Sequence, residues 1–195
     1  MTRMLIVGPP GSGKGTQAEV IARHFGIMAI STGEIFRTNV REATPLGAEA
    51  RNYLDNGDLV PDRLTNAMVR DRLDRADVQS GFLLDGYPRT TAQIAELDSI
   101  LAATGQQLTA VIQLTADDRE LVARMLNRAR DQGRSDDTEE VFRRRLRLYR
   151  NETQAVVSVY SQRGLVVPVD GSGDPSKVGD RAIAAAEAAL AGKTV

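Results

Sequence analysis

Short apolar runs recur along the chain, and longer stretches between them return to apolar residues every three or four positions. The runs are Arg3–Val7 (RMLIV), Ile27–Ile30, Gly81–Leu84 (GFLL), Ala110–Leu114 (AVIQL) and Leu165–Val169 (LVVPV). Short continuous apolar runs predict buried strands. The last contains Pro168, which cannot donate to a ladder and suits an edge strand. The stretches Gly13–Phe25, Leu46–Asn56, Arg63–Asp74, Thr91–Ala103, Asp117–Arg128, Thr138–Gln162 and Ser176–Leu190 predict helices. Strands separated by helices predict an α/β fold of three layers, a five-stranded parallel sheet covered by helices on both faces.

Two stretches break the alternation. Ser31–Pro61 holds helical pieces and no strand, and predicts an inserted helical lobe. Arg128–Thr138 (RARDQGRSDDT) is polar and charged, and predicts a short surface loop. No repeat or linker divides the chain, whose 195 residues suit one core carrying small lobes.

Composition narrows the chemistry. There is no cysteine and one histidine, His24. That excludes disulfides, a thiolate zinc site, a cysteine nucleophile and a multi-histidine metal site. His24 itself is expected to be structural or exposed. No apolar run approaches the ~20 residues needed to span a bilayer, and MTRMLIVG is too soon interrupted for a signal peptide. The expectation is a cytoplasmic protein with no membrane partner. A net charge of −1 argues against nucleic-acid coating. The basic residues are lopsided: 22 arginines against three lysines, Lys14, Lys177 and Lys193, with ten of the arginines between Arg119 and Arg150.

Lys14 sits in Gly8-Pro9-Pro10-Gly11-Ser12-Gly13-Lys14-Gly15-Thr16, directly after a predicted strand and opening a predicted helix. The spacing matches G-x-x-x-x-G-K. Its glycines let backbone N–H groups turn inward around phosphate oxygens, the helix start adds partial positive charge, and the lysine reaches the terminal phosphates. The usual hydroxyl after lysine is displaced by Gly15 onto Thr16. Asp85 ends the run Phe82-Leu83-Leu84, where a carboxylate can face Mg²⁺ directly or through water.

GPPGSGKGTQ, with its extra glycine, resembles the adenylate kinase family. So do Ser31-Thr32-Gly33-Glu34-Ile35-Phe36-Arg37, Gly57-Asp58-Leu59-Val60-Pro61-Asp62, Gly81–Arg89 (GFLLDGYPR) with Gln93, and Arg134-Ser135-Asp136-Asp137 followed by Arg145. These motifs keep one order from Leu5 to about Pro175. The resemblance implies ATP and Mg²⁺ without zinc, and a core of 1–30, 61–125 and 138–195. It also implies a nucleoside-monophosphate lobe, 31–60, and a short lid, 126–137. Gly11, Ser12, Gly13, Lys14, Gly15 and Thr16 would hold the ATP phosphates, Asp85 the metal, and Arg124, Arg128 and Gly173 the rest of ATP. Thr32, Arg37, Asp58, Leu59, Val60, Gly86, Tyr87, Pro88, Arg89 and Gln93 would bind AMP. Arg134 and Arg145 would bind the phosphates being joined and parted. Lys14, Arg89, Arg128, Arg134 and Arg145 would be catalytic.

Three positions depart from the family pattern: Glu34 for Asp, Ala29 for His and Tyr87 for Phe. The lid carries neither a long insertion nor a cysteine.

Helix arithmetic ranks the arginines near the end independently. Phe142, Leu146, Tyr149, Thr153, Val156 and Tyr160 form one stripe. At ~100° per residue, Arg144 and Arg147 lie opposite it as solvated charges. Arg145 falls at its border, where a half-buried arginine needs an anion.

The expected reaction is reversible transfer of the γ-phosphoryl of MgATP to AMP, giving two ADP, in a monomer whose partners are small nucleotides. A UMP or CMP kinase and a non-catalytic nucleotide sensor are the alternatives. Thr32 and Gln93 favour AMP, and the retained lysine and arginines speak against a sensor.

Overall fold

The computed structural model describes residues 1–132 and 138–192. Its centre is a sheet of five parallel strands in the order β2-β3-β1-β4-β5. These are β1 (Thr2–Val7), β2 (Met28–Ser31), β3 (Gly81–Asp85), β4 (Ala110–Thr115) and β5 (Val166–Asp170). Each expected strand is present, within a residue or so at its ends. Pro168 lies on the edge strand as its missing donor requires, opposite Gln113 of β4.

Strand alternation sorts the core into two halves. Met4 and Ile6 of β1 point to one face with Leu83, Ile112 and Leu114. There they meet Ala18, Ile21 and Ala22 of α1 (Lys14–Phe25) and Val178, Ala182 and Ala186 of α9 (Pro175–Ala191). Leu5 and Val7 point to the other face with Phe82, Leu84 and Val111. They are covered by Val69 and Leu73 of α4 (Asp62–Leu73), Ile94 and Leu97 of α5 (Thr91–Ala102), and Val156 and Tyr160 of α8 (Gln154–Gln162). A strand buried on both faces must be apolar throughout, which is why these runs do not alternate.

The segment after β2 folds into α2 (Thr32–Arg41) and α3 (Pro45–Asn56), the two helical pieces expected without a strand. Each start is capped by a side chain: Ser31 Oγ accepts from Glu34 N, and Thr44 Oγ1 accepts from Gly47 N at 3.1 Å. The helices cross so closely at Gly47 that a Cβ there would stand 2.1 Å from the carbonyl oxygen of Asn39.

Two expectations about the later helices change. Helix α6 (Asp118–Gln132) continues past Arg128, so a surface loop from that residue is not what forms. Arg, Ala and Gln are good helix formers, and they extend the helix after its apolar positions end. The helix expected over Thr138–Gln162 is helical from end to end, but its winding changes: α7 (Glu139–Leu148) passes into α8 through a π-helical segment over Tyr149–Thr153. Thr138 caps α7 by accepting from Val141 N.

Candidate active site

The chain winds to one side of β1 through β2 and β3, then to the other through β4 and β5. A crevice therefore opens at the carboxyl end of β1, the place where open α/β sheets bind ligands. The loop from Gly8 to Gly13 leaves β1 at that point and runs into α1. Its geometry demands glycine: a Cβ on Gly8 would lie 2.7 Å from Leu114 O, and one on Gly11 would lie 2.8 Å from Leu121 O. Both residues, and Gly13, have positive φ.

Lys14 Nζ donates to Gly8 O at 2.8 Å and Pro9 O at 2.9 Å, so its ammonium is folded across the loop. Ser12 Oγ is buried and has no hydrogen-bond partner among the described residues. An orphaned hydroxyl inside a phosphate-loop turn is what an absent oxyanion would satisfy. Asp85 faces this loop, with Oδ2 3.9 Å from where a Gly15 Cβ would be and accepting from Ser31 Oγ at 3.3 Å. One carboxylate beside a phosphate site fits Mg²⁺, which keeps several waters and takes the rest of its ligands from phosphate. No cluster of three or more His, Cys, Asp or Glu side chains arranged for a metal occurs among the described residues.

On the β2–β3 side lies a cavity lined by Thr32, Gly33, Phe36, Leu54, Asp58, Leu59, Val60, Thr65, Gly86, Arg89 and Gln93. Its floor is tight. Gly86, at φ +85, passes so near Thr32 that a Cβ would stand 2.6 Å from Thr32 Oγ1. Thr32 Oγ1 donates to Asp85 O, and Arg89 Nε donates to Gly86 O at 2.9 Å. Gln93 is 2% exposed, with Oε1 accepting from Arg89 N and Nε2 donating to Asp62 Oδ1.

Three arginines from separate elements converge on this region. Burial lowers the pKa of Arg89 from its ordinary value. Asp85 opposes that shift, while the charges of Arg145 and Arg37 add to it. Arg37 folds back over Gly33 to Glu34, its Nη2 donating to Oε1 at 2.6 Å, and its Nε is buried without a hydrogen-bond partner. Glu34 thus acts on Arg37 through a salt bridge within α2. Arg145 is half-buried at the border of its stripe, as helix arithmetic expects, and donates to Leu54 O at 3.3 Å.

Several of the other singled-out side chains have partners that no sequence pattern announces. Arg144 is exposed, but it is no isolated solvated charge: it forms a two-pronged pair with Asp58, the Nη2–Oδ2 contact being 2.8 Å. That pair engages both oxygens of the Asp58 carboxylate, while Asp58, Leu59 and Val60 together line the cavity. Tyr87 is buried at 1% exposure, absent from the cavity wall, its hydroxyl bonding Asn66 Oδ1 and Gln93 O. The extra oxygen relative to phenylalanine has found polar partners in the core. Pro88, after a cis peptide, is likewise buried and outside the wall. His24 is exposed and pairs with Glu187 at 2.8 Å.

At the far end of the crevice Arg124 Nη2 donates to Gly173 O at 3.1 Å and to Glu120 Oε1 at 2.6 Å. Glu120 also accepts from Gly173 N at 3.0 Å, and that backbone hydrogen bond holds its carboxyl below the usual range. Glu120 escapes motif reading, although an acid four residues before Arg124 on one helix face is a legible signal. Thr16 is exposed at the first turn of α1. The side chain of Arg128, in α6, and the whole of Arg134 lie outside the described residues.

Comparison with known proteins gives the same picture. The adenylate kinase family model matches residues 6–165. The adenylate kinase of Pseudarthrobacter chlorophenolicus is 62% identical over 191 residues, covering 98% of this chain and all of the relative. That of Renibacterium salmoninarum is 62% identical over 193 residues, covering 99% of this chain and all of the relative. That of Kocuria rhizophila is 59% identical over 187 residues, covering 96% of this chain and all of the relative. Identity of this depth, running almost end to end, means that the chain belongs to the adenylate kinase family.

Proposed function

We propose that this protein catalyses the reversible transfer of the γ-phosphoryl group of ATP to AMP, giving two ADP. The observation that carries the reading is a cavity lined by Arg89 and polar at Thr32 and Gln93, with the Arg37 guanidinium over its Gly33 and Arg145 bonded to its Leu54. In this reading Gly11–Thr16 grip the ATP phosphates, Arg124 and Gly173 flank the base, and the cavity takes AMP. Residues 31–60 form the lobe that closes over AMP, and 126–137 form the lid, carrying Arg128 and Arg134.

The acceptor is already an anionic oxygen, so no general base is required. The physical obstacle is repulsion between two polyanions. Lys14 and the arginines offset it, and their planar forks hold phosphate oxygens in line for transfer. Asp85 is the residue that would hold Mg²⁺, which would supply charge neutralisation to the phosphates. Closure of lobe and lid would exclude water, which otherwise competes with AMP for the phosphoryl group.

A coupled assay of ATP with AMP, UMP, CMP and GMP in turn tests this reading. AMP is expected to be the preferred acceptor, and preference for a pyrimidine monophosphate would sink it. Metal analysis gives a second check. Purified protein is expected to carry no stoichiometric zinc, and a zinc-selective chelator should leave its melting curve unchanged. One zinc per chain would contradict the assignment of Mg²⁺ alone.

The same reading makes the protein a cytoplasmic monomer acting on free nucleotides, with neither nucleic acid nor membrane as partner. Among the described residues no helix is long and apolar enough to cross a membrane.

A further inference from the structure

Gln93 is held from two sides. Its Nε2 donates to Asp62 Oδ1 at 2.7 Å, and its Oε1 accepts from Arg89 N at 2.7 Å. A carboxylate can only accept and a backbone N–H can only donate. Both partners therefore demand the same orientation of the amide, nitrogen toward Asp62 and oxygen toward Arg89.

Asp62 is braced in turn. Its Oδ2 accepts from Thr90 Oγ1 at 2.9 Å, and Thr90 caps α5 by accepting from Gln93 N at 3.2 Å. Asp62 opens α4 and Gln93 lies in the first turn of α5, so the two helix starts are locked together here.

A primary amide carries two N–H donors and an oxygen with two lone pairs. Asp62 and Arg89 engage one of each. One N–H and one lone pair remain, a donor and an acceptor of fixed polarity on a side chain that lines the cavity. Adenine presents a ring-nitrogen acceptor beside an amino donor, whereas the same edge of guanine presents two acceptors. A fixed donor–acceptor pair matches the first and leaves an oxygen facing an oxygen with the second.

We propose that Asp62 is a specificity-determining positioning residue: by accepting from Gln93 Nε2 it fixes the polarity of the amide that reads the acceptor base, and so selects adenine over guanine. This rests on the reading of the cavity as the AMP site. Asp62 acts through Gln93 and touches no substrate.

The test is the ratio of kcat/KM for AMP to that for GMP, in the full-length protein with saturating MgATP. Asp62→Ala is expected to lower that ratio about tenfold, chiefly by raising KM for AMP, as loss of an amide-orienting hydrogen bond would. Asp62→Asn can still turn an oxygen to Gln93 and is expected to stay within about threefold of the native ratio. Asp62→Ser, too short to reach Gln93, is the second truncation should Asp62→Ala not fold. An unchanged ratio in a folded truncation overturns the proposal, and so does an equal loss with both acceptors, which marks a purely structural role. A native enzyme that does not prefer AMP to GMP overturns instead the acceptor-site reading on which the proposal rests.

Discussion

Lys14→Met is expected to lower kcat by roughly three orders of magnitude, equivalent to about 4 kcal/mol of lost transition-state stabilisation. The lysine lies at the start of α1, outside the apolar core, and its ammonium bonds the carbonyls of Gly8 and Pro9. ATP phosphates would replace those carbonyls as partners and gain a charge contact that strengthens as negative charge builds on the transferring group. Methionine keeps the length of the side chain and removes only the charge and its donors. Two modest hydrogen bonds are lost from the free protein, each contributing about 1 kcal/mol. The melting temperature should therefore fall by only about 4–8 °C. Steady-state kinetics and a melting curve on the same preparation separate the two effects. Near-normal turnover with a normal melting curve would remove the phosphate-loop assignment altogether.

The second large effect is expected at Gly47, where α3 meets α2. A Cβ on Gly47 would meet Asn39 O at 2.1 Å, Asn39 C at 2.3 Å and Val40 N at 2.6 Å. All three are backbone atoms of α2, so no side-chain rotation can relieve the contact. The connection between the helices is already tight: Ala43 has φ 52, Thr44 N donates to Asn39 O, and Thr44 Oγ1 donates to Asn39 Oδ1 at 2.7 Å. Gly47→Ala should push α3 off α2 at a cost of about 2–3 kcal/mol. The lobe carries Thr32 and Arg37, so kcat/KM for AMP should drop by about a hundredfold, since misplacement of about 1 Å in a positioned site can cost that much. Binding of ATP alone, followed by calorimetry, should change little, because the phosphate loop leaves β1 in the other half of the crevice. Unaltered AMP kinetics in Gly47→Ala would show that the lobe does not position the acceptor.

The sheet was legible because each strand is apolar along its whole length, and Pro168 marked its own place at the edge. The glycine loop and Asp85 were legible because their chemistry demands fixed residue types at fixed spacing. Helix ends were harder. Apolar periodicity stops near Met125, yet α6 runs on to Gln132 through residues with good helix propensity. The π-turn at Tyr149–Thr153 leaves no sequence mark either, since the stripe from Phe142 to Tyr160 reads at helical spacing straight through it.

Partners distant in sequence were harder still. Helix arithmetic placed Arg144 on the outer side of α7, and the residue is indeed exposed. Its bond to Asp58 depends on how α7 meets the end of α3, which no local pattern encodes. Asp62 was visible only as the last residue of a motif. Its grip on Gln93 spans 31 positions and emerges once α4 and α5 are docked.

The proline in β5 has a consequence for how copies of this protein behave in a crowded solution. An open sheet ends in rows of unpaired backbone groups, which can template addition of a strand from another chain and so begin aggregation. One border here is β5, where Pro168 lacks an N–H to offer an incoming strand. The other is β2, only four residues long and running directly into α2 through the capped Ser31. Neither border presents a long uninterrupted ladder, so neither edge of this fully parallel sheet is a ready template for a strand from another copy.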